Sequence, residues 1–487
     1  MILAQLDAAF DGLSTPAAWL ALWPMLALGA GVILFLVCDV IDVLRVARPF
    51  VFAGALVVAA AGEIYVLRAA ERAPGIVFDG TFQADHATAL WGLLFVCATG
   101  LCWLASHGYY RESLPFRPEH DALLLTTPIG MMLMVGARDL VVFFVGLELL
   151  SLPLYALCAF RRMRAESVEA GLKYFLLGSF SSALFVYGAA LVYAAAGTLS
   201  LPELAGQDLS SPLALAGLAL LVASLFFKVA VFPFHLWAPD VYQGSPTPVT
   251  ALMATGTKAA AFGFLIVQLA PLLPESARTL VSVCALATMA LGNLGALVQT
   301  DLKRMLAYSS VSHAGTLLLL VAAGLGGPDE HGALVAALYY LGGYMFTAVG
   351  AFGVLALLED GGAHYTRLDS LRGLARSRPL LAALLALFML SLGGIPATAG
   401  FLGKWFVFAA LVDADMIAVA VLGALLSTVA LGYYLRVIVV LYMQAPPEEL
   451  EPPRARRLTT GVVGALCAAF VLAMGLFPAL FLGLIGR

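Results

Sequence analysis

The sequence predicts an all-α protein that crosses a membrane many times, and three observations carry that expectation. Of its 487 residues, 62% are hydrophobic and 11% are charged, at a mean hydropathy of +0.97. Ordinary soluble domains run at roughly 45–50% apolar and about 25% charged, and a soluble chain could not hide this much apolar surface. The apolar residues come in runs of about twenty, the length that crosses a bilayer as a helix. Runs such as ALLALFMLSL do not alternate apolar with polar, which argues against barrel strands. A net charge of -4 offers no basic footprint for nucleic acid.

Fourteen spans are predicted, near 17–38, 48–67, 87–106, 121–137, 139–160, 172–197, 212–234, 248–271, 277–298, 305–323, 332–358, 379–411, 415–443 and 459–484. The chain starts with Asp7 and Asp11 and has no basic residue before its first apolar run, so no cleavable leader is expected. Loops after odd-numbered spans hold sixteen basic residues, among them Arg45, Arg48, Arg111, Arg117, Arg161, Arg162, Arg164, Lys303, Arg304, Arg367, Arg454, Arg456 and Arg457. Loops after even-numbered spans hold four, Arg68, Arg72, Arg138 and Arg278, together with acids such as Asp329 and Asp413. The odd loops are therefore expected on the cytoplasmic (or matrix) side. Cys38, Cys97, Cys102, Cys158, Cys284 and Cys467 lie in or beside apolar runs and form no C-x-x-C pair, so buried packing is expected of them.

Charge is hidden selectively. The chain has five lysines against twenty-one arginines, and Lys173, Lys228, Lys258 and Lys404 all stand in apolar helical sequence. Each would cost roughly 2.5–3.5 kcal/mol at a bilayer centre. A buried ammonium can give up its proton, whereas a guanidinium in practice cannot. Lysines inside and arginines outside therefore suggest proton handling; the alternative is snorkelling to the interface, strongest for Lys173 near a helix start. Glu148, in FFVGLELLSLPLYAL, is expected to be buried with them, and a Glu–Lys pair that separates and rejoins is a proton switch. Glu63 is read as interfacial, near Arg68. His235 stands two helical turns after Lys228, with Pro233 between them. His313 lies in the polar stripe MLAYSSVSHAG, which would also serve plain helix packing.

Spans seven and twelve are interrupted, by Pro233 and Pro239 in one and by Gly393, Gly394 and Pro396 in the other. Broken helices in matching places point to a repeat around an ion site. They stand five spans apart, so spans 4–8 would repeat as 9–13, inverted in the membrane. The expected organisation is an N-terminal three-helix segment (1–120), two five-helix repeats (121–275 and 276–445) and a C-terminal helix (446–487).

The strings LKYFLLGSFSSALFVYG, FKVAVFPFHLWAPDVYQGSPTPVTA, QTDLKRMLAYSSVSHAG and GGIPATAGFLGKW, in this order, resemble the antiporter-like membrane subunits of respiratory complex I. HLWAPDVYQGSP resembles the subunit N branch of that family in particular. The resemblance implies proton translocation coupled to quinone reduction. It puts Glu148, Lys228, Lys258 and Lys404 in proton transfer, with Lys173, His235 and His313 as accessory positions. It implies no cofactor or metal in this chain, with NADH, FMN, iron–sulfur clusters and quinone handled by partner membrane and peripheral subunits. It further implies a multi-pass protein of a bacterial inner membrane, or of the mitochondrial one. Two other readings stay open: a subunit of a multi-subunit cation/proton antiporter, and a non-catalytic membrane scaffold.

Overall fold

The structure, a computed structural model, describes residues 16–69, 75–110, 118–325, 330–359, 366–446 and 458–486. The acidic start of the chain, together with Arg72, Arg111, Arg117, Asp329, Arg454, Arg456 and Arg457, lies outside them. The helices run as α1 (Pro16–Val40), α2 (Arg48–Ala69), α3 (His86–Tyr110), α4 (Pro118–Gly136), α5 (Leu140–Cys158), α6 (Ala165–Ala196), short α7 (Leu201–Ala205), α8 (Pro212–Val229), α9 (Trp237–Gly244) and α10 (Thr247–Phe264). They continue as α11 (Ala277–Leu297), α12 (Leu302–Gly324), α13 (Glu330–Leu358), short α14 (Leu374–Ser377), α15 (Pro379–Gly393), α16 (Ala399–Asp413), α17 (Ile417–Met443), α18 (Leu458–Leu476) and α19 (Pro478–Ile485). A two-stranded antiparallel hairpin, β1 (Gly75–Val77) and β2 (Phe82–Ala84), was not expected from the sequence. Its turn carries Phe78, Asp79 and Gly80 at positive φ.

Among the described residues, eleven helices are long and apolar enough to cross a membrane, or twelve if α18 and α19, bent by 87° at their junction, make one span. That is fewer than the fourteen expected. Breaks leave α15 and α16 at 15 residues each, and α4 opens on the polar run PEHD. Apart from the hairpin the described secondary structure is helical, and the chain is a multi-pass membrane protein.

Burial is graded. An 18-residue stretch within each of Thr247–Leu272 and Leu302–Gly324 is 94% buried, whereas one within Ala165–Ala196 is 28% buried, with apolar faces turned outward. A helix apolar on every side belongs either in a core or in lipid; α10 and α12 take the core and α6 the rim. The polar residues of α10 and α12 are therefore interior by construction.

Two helix pairs are built alike. Asp139 caps α5 by accepting from the Val141 amide at 2.7 Å, and Asp301 caps α12 by accepting from the Arg304 amide at 2.9 Å. Each cap residue also makes an isolated bridge to a later strand-like residue, Asp139 to Ser200 and Asp301 to Arg367. Nine residues before each cap stands a glycine, Gly130 or Gly292, at a close helix crossing. A side chain at Gly130 would meet the Leu150 amide at 2.5 Å, and one at Gly292 the Ser312 amide at 2.6 Å.

Candidate functional site: buried lysines at two helix breaks

The first break follows Val229. Ala230 takes the left-handed conformation (φ 59°), and the amides of Ala230 and Val231 close the helix end on Phe227 and Phe226. Lys228 sits in that last turn, 5% exposed. Its Nζ donates to Ser151 Oγ at 2.6 Å and to Tyr174 OH at 3.3 Å. Here the structure corrects two expectations. Glu148 is half-buried rather than buried, and no ion pair joins it to Lys228 among the described residues. Instead Glu148 accepts a hydrogen bond from the Ser182 hydroxyl, and Ser151, one turn further along α5, takes the lysine. His235 does not share a helix face with Lys228, because α8 stops between them. It is 7% exposed in the turn that follows, with its Nδ1 buried and without a partner among the described residues.

The second break follows Gly393. Gly394 takes the left-handed conformation (φ 84°), and Gly394 and Ile395 close the helix on Leu390 and Ser391 as at the first break. Lys404 comes from the helix beyond the break, α16, and reaches back. Its Nζ donates to the carbonyls of Leu392 and Gly393 at 2.9 and 3.0 Å. A cation at a helix C-terminus is favoured by roughly 0.3–1 kcal/mol, and by about 2 kcal/mol where partly buried. A side chain at Gly394 would lie 3.0 Å from the Lys404 Cδ, so the glycine makes room for the lysine as well as for the turn.

Between the breaks, Lys258 on α10 is 1% exposed and donates to the Ser310 carbonyl at 2.5 Å and its hydroxyl at 2.7 Å. Ser310 also accepts from Tyr344 OH at 2.9 Å. His313, one turn along α12, contacts Tyr340 OH at 2.6 Å and Tyr434 OH at 3.2 Å. Lys258, Ser310 and Tyr344 thus form one hydrogen-bonded group in the core, and His313 lies beside it with its ring 4.9 Å from that of Tyr344.

Lys173 stands apart from this set. It is half-exposed and paired with Glu169 at 2.7 Å and Asp240 at 3.0 Å. It lines an open cavity of about 960 Å³ with Arg161, Asp240, Lys303, Arg304 and Glu359. This vestibule gathers the loops after the fifth, ninth and eleventh expected spans, which the arginine count had placed on one side. Lys303 and Glu359 were missed as site residues. In sequence they read as ordinary loop charges, yet Lys303 is 2% exposed and donates to the Ser245 carbonyl at 2.5 Å and to Glu359 at 3.3 Å. Burial pushes the Glu359 carboxyl up, but Lys303, hydrogen bonds from Thr247 and Tyr109, and Arg161 outweigh it and hold the group below its ordinary value. Glu63 is also misread from sequence: it is 7% exposed, packed against Gly92 rather than turned to the interface. Cys97 is exposed rather than buried; all six cysteines are unpaired. Among the described residues, no three His, Cys, Asp or Glu side chains are grouped to hold a metal.

A bundle of apolar helices with lysines seated at two helix breaks has clear relatives. The family model described as "NADH:quinone oxidoreductase/Mrp antiporter, TM" matches residues 137–430, and the chain belongs to this family of membrane subunits. Within it, the chain is 38% identical to NADH-quinone oxidoreductase subunit N 1 of Chloroherpeton thalassium, covering 94% of this chain and 95% of that one. It is 42% identical to NADH-quinone oxidoreductase subunit N of Salinibacter ruber, over 88% of each. A chain of respiratory complex I from Thermus thermophilus, solved with bound aureothin, superposes with a TM-score of 0.79 at 35% identity, covering 94% of this chain and 98% of that one. A chain of the Mrp complex from a Dietzia species has the same fold, with a TM-score of 0.82 at 23% identity and coverage of 97% and 96%.

Proposed function

We propose that this chain is the subunit N of an NADH:quinone oxidoreductase in a bacterial-type inner membrane, translocating protons while partner subunits bind NADH and quinone and carry the electrons. The observation that carries this reading is the setting of Lys228, Lys258 and Lys404. All three are buried, and all three are held by hydroxyls and carbonyls rather than by carboxylates. A buried ammonium without a counter-ion is costly, and it can be relieved by releasing its proton.

The path we assign runs from Glu148 and Lys228 through Lys258 to Lys404, with His313 beside the central step and Lys173 and His235 at the margins. A charge change in a neighbouring subunit brings Glu148 and Lys228 together or draws them apart. Pairing favours the protonated lysine, and separation releases the proton toward Lys258. Moving one charge against the membrane potential takes about 2.3 kcal/mol per 100 mV. A shift of two pKa units in one lysine supplies about 2.7 kcal/mol, so one rearrangement drives one step.

The fourteen-span topology belongs to this proposal, with α4, the α15–α16 pair and the α18–α19 pair counted as spans. So does the division into a 1–120 segment, five-helix repeats at 121–275 and 276–445, inverted relative to each other, and a final helix at 446–487. The matching caps at Asp139 and Asp301, the glycine crossings and the two like breaks support it.

The test is NADH-driven proton pumping in membrane vesicles whose complex carries Lys258→Ala, after assembly is verified. Pumping should fall by roughly 10²-fold, the scale of a lost proton-transfer group. An assembled complex that pumps at the full proton-to-electron ratio would make Lys258 structural. Sodium-dependent transport would instead favour the antiporter reading that the shared Mrp fold keeps in view.

A further inference from the structure

At the second break, Lys404 and its two acceptors stand on opposite sides of one turn. The Leu392 and Gly393 carbonyls precede it and Lys404 follows it, so the shape of the turn sets the 2.9 and 3.0 Å contacts. The turn visits the left-handed region twice, at Gly394 (φ 84°) and again at Ala397 (φ 71°). A residue with a side chain is strained there and keeps that conformation only where its surroundings hold it. Inside the turn, Thr398 Oγ1 donates to the Ile395 carbonyl at 2.7 Å. Across its ends, the Gly400 amide donates to Ser391 Oγ at 3.3 Å, and Ser391 Oγ lies 3.0 Å from Thr347 Oγ1 on α13.

The remaining support comes from α18. Its Gly475 lies directly against the strained residue. A side chain at Gly475 would run into the Ala397 carbonyl and stand 2.6 Å from the Thr398 carbonyl carbon. The neighbouring Met474 carbonyl accepts from Tyr339 OH at 2.5 Å, which fastens this end of α18 to α13. The Tyr339 ring in turn packs edge to face, at 5.0 Å, on Phe406 of α16, two residues beyond Lys404. One tyrosine thus touches both the helix that backs the turn and the helix that carries the lysine. The first break is tied from outside by another device, the Phe232 amide donating to Thr288 Oγ1 of α11 at 3.0 Å.

We propose that Tyr339 and Gly475 are positioning residues for Lys404, bracing the turn so that the Leu392 and Gly393 carbonyls stay aimed at the ammonium. This rests on the reading of Lys404 as a proton-transfer group. It makes α18, which carries no charged side chain of its own, part of the Lys404 site. The titratable groups facing that site are His313 on α12, Tyr340 on α13 across Gly403, and Tyr434 on α17 beside Gly393. From α15 there is none, and α18 holds only Cys467.

The experiment is the number of protons pumped per NADH oxidised, followed from about pH 6 to about pH 9 in vesicles with assembled complex. The variants are Tyr339→Phe, which removes one hydrogen bond and keeps the ring, and Gly475→Ala. An ammonium held less firmly gives up its proton sooner as the pH rises. Gly475→Ala should therefore lose several-fold in the ratio at the alkaline end and match wild type at the acid end. Tyr339→Phe should show a smaller loss of the same pH dependence, and it decides the matter if Gly475→Ala does not assemble. Gly461→Ala, on the same helix where a side chain would meet nothing, should match wild type throughout. Lys258→Ala is run alongside. If it loses pumping while Tyr339→Phe keeps the wild-type ratio at every pH, or loses equally at every pH, the brace alone is overturned. Unchanged pumping in Lys258→Ala overturns the carrier reading and the brace with it.

Discussion

The two broken helices end in the same way and receive their lysines in opposite ways. Both α8 and α15 close with a left-handed residue that turns two amides back onto the last carbonyls, and both are followed by a proline. At the first break the lysine belongs to the helix that ends and points away from it, into the hydroxyls of Ser151 and Tyr174. At the second it belongs to the helix that follows and points back onto the carbonyls of Leu392 and Gly393. Counted from the caps Asp139 and Asp301, Glu148 and Ser310 hold the same position, and so do Ser151 and His313. The first half thus has an acid where the second has a serine, and a serine where the second has a histidine. The backbone device is kept while the chemistry around it is changed. A helix break supplies carbonyls and space for a cation, and the side chains on the facing helix decide how firmly that cation is held.

The largest effect should come from making both lysines unable to release a proton. Lys228→Arg and Lys404→Arg keep the charge, and each should lower pumping by roughly 10²-fold in assembled complex. Vesicle pumping that survives at one site would confine proton passage to the other half. Next are the turn residues, where the halves should respond with opposite signs. Gly394→Ala places a side chain in the left-handed region and against Lys404, and should destabilise by roughly 1–2 kcal/mol. Ala230→Gly removes a comparable strain, offset by about 0.5–1 kcal/mol of glycine entropy, so it should stabilise by roughly 0.5–1 kcal/mol. Thermal denaturation of the purified complex in detergent separates the two, and equal losses would mean that the breaks are not alike.

The smallest effect concerns the vestibule that both halves border. The Glu359 carboxyl is held below its ordinary value, so its contribution to stability is present above the unfolded value of about 4.3 and is lost as the pH falls through the folded value. Glu359→Gln should remove that contribution, lowering the melting temperature by a few degrees above this window and flattening the acid limb, so that variant and wild type converge at low pH. A wild-type acid limb in the variant would show that the Lys303–Glu359 pair contributes nothing there.

Much of this was legible in the sequence. Apolar run length gave the helices because a bilayer-length segment has few other options. Glycine and proline marked both breaks, since each acts through the local backbone alone. Lysines 228, 258 and 404 stood out because a charge in apolar sequence needs a reason. What could not be read depends on which helices meet. Lys303 and Glu359 look solvated until α12 and α13 bring their ends together. His120 and Asp121 look like a polar helix start until Trp103 and Tyr110 cover them. Glu148 was expected to hold Lys228, yet Ser151, one turn away on the same helix, holds it. Spacing along a helix names a face, but it does not say which residue on that face a neighbour will reach.

Ser151 has a consequence of its own. A hydroxyl has one hydrogen to give, and Ser151 gives it to the Leu147 carbonyl while it accepts from Lys228. In this arrangement the serine can receive a proton from the lysine only if it is already releasing its own, and a main-chain carbonyl is a poor place to leave one. On the proposed path, passage by way of Ser151 would require the hydroxyl to swing away from Leu147 and then swing back before the next arrival. The serine would then be a turnstile, admitting one proton per rotation.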